Sequence, residues 1–119
     1  MAAGQRLICA AGELADGGKG VRFTVDREGR AIPAFAIRCR GRAYAYINEC
    51  GHVPAELDWQ PGEFFDLSGL YLICAIHGAL YAPDSGRCLG GRCQGRGLKP
   101  LPVQETDGNL FLMLENNDG

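Results

Sequence analysis

Cys50-Gly51-His52 and Cys74-Ala75-Ile76-His77 place two cysteines and both histidines of the chain in two short segments, a C-x-H and a C-x-x-H. Thiolate and imidazole are the soft and borderline ligands that bind iron, zinc or copper, and each segment offers one of each. Two loops carrying these segments and facing each other would surround one site with four ligands. Zinc sites of this composition more often pair Cys with Cys and His with His, as in C-x2-4-C followed by H-x3-5-H. Here the order is Cys-His, Cys-His. In a mixed-ligand iron–sulfur centre two thiolates hold one iron and two imidazoles hold the other, so each loop must supply one ligand to each iron. The same four residues could also staple a zinc-bound domain with no redox role.

The elements that must position these loops read as short strands. Eighteen glycines and six prolines are spread along 119 residues without a period, which implies many turns and an all-β fold. Strands are expected near residues 6–10, 21–25, 32–39, 42–48, 63–66, 70–74, 79–82, 86–89, 101–105 and 109–114. Alternation is clearest in Arg42-Ala43-Tyr44-Ala45-Tyr46-Ile47 and in Asn109-Leu110-Phe111-Leu112-Met113-Leu114. Glu28-Gly29, Arg40-Gly41, Asp84-Ser85-Gly86 and Asp107-Gly108 are hairpin signals, the last a good type I′ candidate. No stretch keeps a 3.6-residue apolar period, so helix is limited to a turn or two, with Pro54 to Asp58 as the place for one.

The flanks of the second segment, His77-Gly78-Ala79-Leu80-Tyr81 followed by Asp84-Ser85-Gly86, carry a resemblance to the Rieske ferredoxin family, whose second loop runs C-x-x-H-G-x-x-aromatic into a Gly-containing turn. The first loop, Cys50 to Leu57, is similar to the family's C-x-H-x-x-x-x-L, in which the Leu packs under the loop. Leu98-Lys99-Pro100-Leu101-Pro102-Val103 and Gly108-Asn109-Leu110-Phe111-Leu112 are similar to its closing strands, so the likeness covers most of the chain from about Ala43 onward. It implies a small antiparallel β-sandwich with a cluster-binding subdomain of two hairpin loops, about residues 48–90, in one domain over 1–119. It also implies a [2Fe-2S] cluster on Cys50, His52, Cys74 and His77, with Gly78, Ala79 and Tyr81 around it. Two features depart from the family pattern. Twenty-one residues separate His52 from Cys74, more than is usual, and Pro54 stands where Gly is common. The extra length reads as a hairpin, with Glu63-Phe64-Phe65-Asp66 turning at Leu67-Ser68-Gly69 and returning through Leu70-Tyr71-Leu72-Ile73 to Cys74. Pro54 fixes φ where Gly would have been free.

The resemblance also bears on redox tuning. High-potential members join the two loops by a disulfide, at positions that here are Ala55 and Ile76, and place a hydroxyl donor to cluster sulfur where this chain has Ala79. Donors to cluster sulfur raise the potential, so their loss implies the low end of the Rieske range. Tyr81 could donate a hydroxyl to a ligand thiolate or could only pack. Oxygenase subunits of the family pass electrons to an iron held by two His and a carboxylate, yet His52 and His77 are the only histidines here and 119 residues leave no space for a catalytic domain. The reading is therefore a one-electron carrier rather than an enzyme, between a flavin-dependent or ferredoxin reductase and an oxygenase or other redox enzyme. A small Rieske-fold subunit of a reductase complex, resembling that of assimilatory nitrite reductase, is the alternative within the family. A redox sensor using Cys88 and Cys93 has only those thiols behind it. Trp59, Phe64, Phe65 and Tyr71 could edge a docking face or pack as core.

Composition supports a compact soluble domain, with 46% hydrophobic residues and a net charge of −2. There is no basic footprint for nucleic acid. The longest apolar run, Leu70 to Ile76, is far short of the roughly 20 residues a bilayer requires, and the first ten residues lack the features of a signal peptide. A cytoplasmic location is expected, where cysteines outside metal sites are mostly thiols. Cys9 and Cys39 read as small core residues. Cys88 and Cys93 flank a Gly-rich turn and could be free, disulfide-bonded or metal-linked.

Overall fold

Three of the turns are closed by residue pairs that few other sequences could supply. Glu28-Gly29, Arg40-Gly41 and Asp107-Gly108 each have two consecutive positive φ values, 54° and 77°, 53° and 79°, and 53° and 79°. That is the type I′ geometry whose twist matches antiparallel strands. In the computed structural model, which describes residues 5–49, 56–58, 60, 62–74, 78–91 and 97–113, these turns join three hairpins. The strands are β1 Gln5–Ala10, β2 Val21–Arg27, β3 Arg30–Cys39, β4 Arg42–Ile47, β5 Leu72–Ile73, β6 Leu80–Tyr81, β7 Cys88–Gly90, β8 Pro100–Leu101, β9 Val103–Thr106 and β10 Asn109–Met113. They form three antiparallel sheets, β1-β10-β9, β2-β3-β4-β8 and β5-β6-β7. The fold is all-β, as expected.

The four-stranded sheet lies in the middle and is covered on both faces. Along β3, Ala34, Phe35, Ala36 and Ile37 are all buried. Successive side chains point to opposite faces, so Phe35 and Ile37, with Tyr46 of β4, join Leu57, Phe64, Leu72, Cys74, Ala79, Tyr81 and Leu98 on one side. Ala34, Ala36, Ala45 and Ile47 join Cys9, Leu110 and Leu112 of the β1-β10-β9 sheet on the other. Large residues thus face the side that carries Cys74. Phe35 stacks on Phe64 with ring centroids 4.0 Å apart and planes 12° apart. Arg38 ties the layers at one end: it donates to Leu14 O and Ala11 O and makes a two-pronged pair with Glu105.

Several expected elements take a different form. The single strand expected over 101–105 is two: β8 pairs with β4, and β9 pairs with β10 in another sheet. Pro102 stands at the switch and has no N–H to donate to a ladder. Residues 63–66 do not form a strand; Phe65 makes only an isolated bridge to Leu72. In β1 a bulge between Leu7 and Cys9 resets the register, turning Cys9 inward to 6% exposure and leaving Leu7 56% exposed. Residues 56–58, in the expected helical stretch, are not helical, and Pro54 lies outside the described residues. The single helical turn among the described residues is Ala11–Glu13, where Glu13 accepts the Ala10 N–H. No helix among the described residues is long and apolar enough to cross a membrane.

Candidate metal centre

Cys74 follows directly on β5 and is fully buried. Its N–H donates to Ala79 O at 2.9 Å and its carbonyl accepts the Gly78 N–H at 2.7 Å. These two bonds, with the β5–β6 pairs Leu72↔Tyr81 and Ile73↔Leu80, bring Gly78 and Ala79 back against Cys74. Gly78 has a φ of 72°, a left-handed backbone that a side chain would strain. His77, Cys50 and His52 lie outside the described residues, as does Trp59.

The walls around Cys74 are apolar. Leu57, Leu72, Ala79 and Tyr81 share its cluster and are each fully buried. Leu57, the residue expected to pack beneath the first loop, is buried in this core; the loop itself lies outside the described residues. Ala79 brings a methyl group, not a hydroxyl, to the turn after His77. From the other side β7 pairs with β6, and Gly91 brings its backbone so close that a Cβ there would lie 2.8 Å from Ala79 Cα. Cys88, on β7 opposite Tyr81, is disulfide-bonded. Cys9 is a buried core residue; its thiol pKa is raised by burial and by nearby Glu13. Cys39 is only half-buried, a partial correction to its reading as core.

The extra residues before Cys74 form the hairpin expected of them. Ile73 N–H donates to Phe64 O and Asp66 N–H to Tyr71 O, while Ser68 donates to the Asp66 carboxylate within the turn. Gly17 and Gly69 touch backbone to backbone, seating the hairpin tip on the loop before β2. Of the aromatics considered for a docking face, Phe64 is core and Phe65 packs on the core edge, while Tyr71 is 40% exposed beside exposed Leu67 and Leu70.

The sequence reading did not pick out a polar network at the root of the first loop. Asn48 and Asp58 are buried and hydrogen-bonded to each other, and Arg22 of β2 reaches Asp58 and Glu56. No motif could have revealed it, because Arg22 is 34 residues from Glu56 in sequence.

The described part of the site suits a thiolate-bound cluster. A buried cysteine stands at the mouth of a tight glycine turn, in an apolar shell of the kind that controls solvent access to a metal site. Among the described residues no group of three or more His, Cys, Asp or Glu could hold a metal elsewhere.

Comparison with known proteins gives the same direction. The family model of the Rieske [2Fe-2S] domain matches residues 5–106. The fold is similar to the ferredoxin of Sphingomonas yanoikuyae B1, at TM-score 0.70 and 21% identity over 94% of this chain and 100% of that one. A chain in the complex of reduced oxygenase and oxidised ferredoxin of carbazole 1,9a-dioxygenase matches at TM-score 0.71 and 23% identity, over 97% of each chain. The terminal oxygenase of carbazole 1,9a-dioxygenase from Nocardioides aromaticivorans IC177 matches at TM-score 0.73 and 22% identity, over 96% of this chain but 31% of its own. This chain therefore spans about a third of that oxygenase. Among curated protein sequences none matches. With the family model covering most of the chain and a buried Cys74 in its glycine-turned loop, this protein belongs to the Rieske [2Fe-2S] domain family, which binds a [2Fe-2S] cluster and serves electron transfer.

Proposed function

We infer that the chain is a low-potential, ferredoxin-like Rieske carrier that takes one electron from a reductase and passes it to an oxygenase or another redox enzyme. Cys50, His52, Cys74 and His77 would hold the cluster, two thiolates on one iron and two imidazoles on the other. When bound, the [2Fe-2S] group supplies a one-electron couple. The chain's own residues set its surroundings. Leu57, Leu72 and Tyr81 keep water from the Cys74 sulfur, and the Cys74–Gly78 and Cys74–Ala79 hydrogen bonds hold that cysteine at the root of its loop. His52 and His77 are the only histidines in these 119 residues, so a two-His, one-carboxylate iron site has no ligands left here. The fold match to ferredoxins along their whole length supports the carrier reading.

The observation that carries the low potential is Ala79. It is fully buried beside Cys74 and offers no hydroxyl to a bridging sulfur. Each missing donor to cluster sulfur disfavours the reduced state. Within the Rieske range of roughly −150 to +300 mV, the midpoint should fall at the low end. Redox titration of the purified red-brown protein, followed by its visible and EPR spectra, tests both parts. A midpoint above about +100 mV would reject the tuning, and a colourless protein with stoichiometric zinc would reject the carrier.

A further inference from the structure

Asn48, just after β4, and Leu57 bracket the C-x-H segment in the sequence. Both are tied to one buried polar network. Asn48 Oδ1 accepts the Leu57 N–H at 2.9 Å, and its Nδ2 donates to Asp58 Oδ1 at 3.1 Å. The Asp58 side chain has no exposed surface. Its Oδ2 accepts the Gly62 N–H at 3.0 Å and lies 3.4 Å from Arg22 Nε. Arg22 also donates through Nη2 to Glu56 Oε1 at 2.7 Å. Asn48, Leu57 and Asp58 are thus joined to one another and held from β2 by Arg22.

Stability alone does not account for such a network. Leu57 already anchors this point in the apolar core, and an ion pair with one partner buried and the other partly exposed adds little net stability over apolar residues of the same size. Its best-attested use is to fix register. An amide and a carboxylate with every group matched have one satisfied alignment, whereas an apolar contact tolerates a slip. The residues joined here, Asn48 and Leu57, bracket Cys50 and His52 in the sequence.

We propose that Arg22, Asn48 and Asp58 form a positioning clamp that sets how the first loop presents Cys50 and His52 to iron; this rests on the reading of the Cys-His pairs as cluster ligands. The three residues are not ligands. They act through the backbone at Leu57, Asp58 and Gly62, and Asn48 stands two residues before the first cysteine.

The test uses the full-length, cluster-loaded protein and the variants N48D, D58N, N48D/D58N and R22Q. N48D sets two carboxylates against each other. D58N deprives Arg22 and the Gly62 N–H of a charged acceptor. The double variant exchanges the roles: the carboxylate at 48 still accepts from Leu57, and the amide at 58 donates to it. Cluster loss to a chelator is followed by visible absorbance, and the EPR g values of the dithionite-reduced protein are compared.

Each single variant at 48 or 58 should lose the cluster roughly 10- to 100-fold faster, the range typical of removing an outer-shell partner, with shifted g values. The double variant should regain most of the loss. R22Q, at a side chain 40% exposed, should fold whether or not the buried variants do; it should lower the melting temperature, because the buried Asp58 loses its cation, and should speed cluster loss measured well below that temperature. Single variants with wild-type loss rates and g values would overturn the clamp, as would a double variant as impaired as its two parents combined, or an R22Q indistinguishable from wild type. A wild-type chain that binds no iron would instead overturn the ligand reading beneath it.

Discussion

Gly91 follows β7 with a φ of 84° and faces the second ligand loop. Substitution by Ala places a methyl carbon 2.8 Å from Ala79 Cα and 2.9 Å from Gly78 O. Carbon atoms settle about 3.5–4.0 Å apart, so the turn must retreat by roughly 0.7 Å or more. Both obstructing atoms are backbone, and no side-chain rotation relieves the clash. The left-handed backbone costs an L residue roughly 1–2 kcal/mol, and overpacking adds roughly 1–3 kcal/mol. Gly108 separates the two effects, since its φ is 79° but a Cβ there meets nothing within 4 Å. Gly108→Ala should therefore show only the backbone cost. At roughly 4–8 °C per kcal/mol for a domain near this size, Gly91→Ala should melt at least about 4 °C below Gly108→Ala. Thermal unfolding of the cluster-loaded variants side by side measures this, with the visible spectrum reporting on the ligand loop. Equal melting temperatures for the two variants would refute the close approach of the β7 turn to Ala79.

Phe64→Ala removes a fully buried ring and its stack on Phe35 and should destabilise by about 3–5 kcal/mol; a loss near zero in denaturant titration would contradict its place in the core. Cys74→Ser should abolish the visible spectrum and EPR signal, and a normal spectrum would remove Cys74 from the ligand set. Tyr46 donates to Pro83 O at 2.7 Å from inside the core, and burial, with Asp84 nearby, pushes its phenol well above the ordinary value. Its contribution to stability is complete below about pH 10, the unfolded phenol value, and declines as pH rises beyond it, because the unfolded chain ionises there first. Tyr46→Phe should flatten that alkaline decline, which unfolding between pH 9 and 12 would reveal.

Local features were the legible ones. Glu28-Gly29, Arg40-Gly41 and Asp107-Gly108 specify their turns through residues that adopt positive φ, so hairpin positions were readable without any knowledge of the partners. The inserted hairpin before Cys74 was readable for the same reason, and Leu57 from its spacing in the loop. The split at Pro102 was not, because an apolar run with proline carries no sign of which of two sheets each half will join. Core packing was expected of Phe64, but its stack on Phe35 of β3 joins residues too far apart in sequence to be read.

Taken alone, the order Cys50, His52, Cys74, His77 pointed to the chemistry proposed for this chain, since ligand type and spacing are properties of short segments. Ala79 carries the proposed direction of its tuning. Tertiary structure decided what surrounds that chemistry: the two-faced central sheet, the apolar walls around Cys74, the approach of Gly91 and the grip of Arg22 on Asp58. Each joins residues far apart in the chain, and such contacts follow from packing and burial in three dimensions, which one-dimensional spacing does not encode.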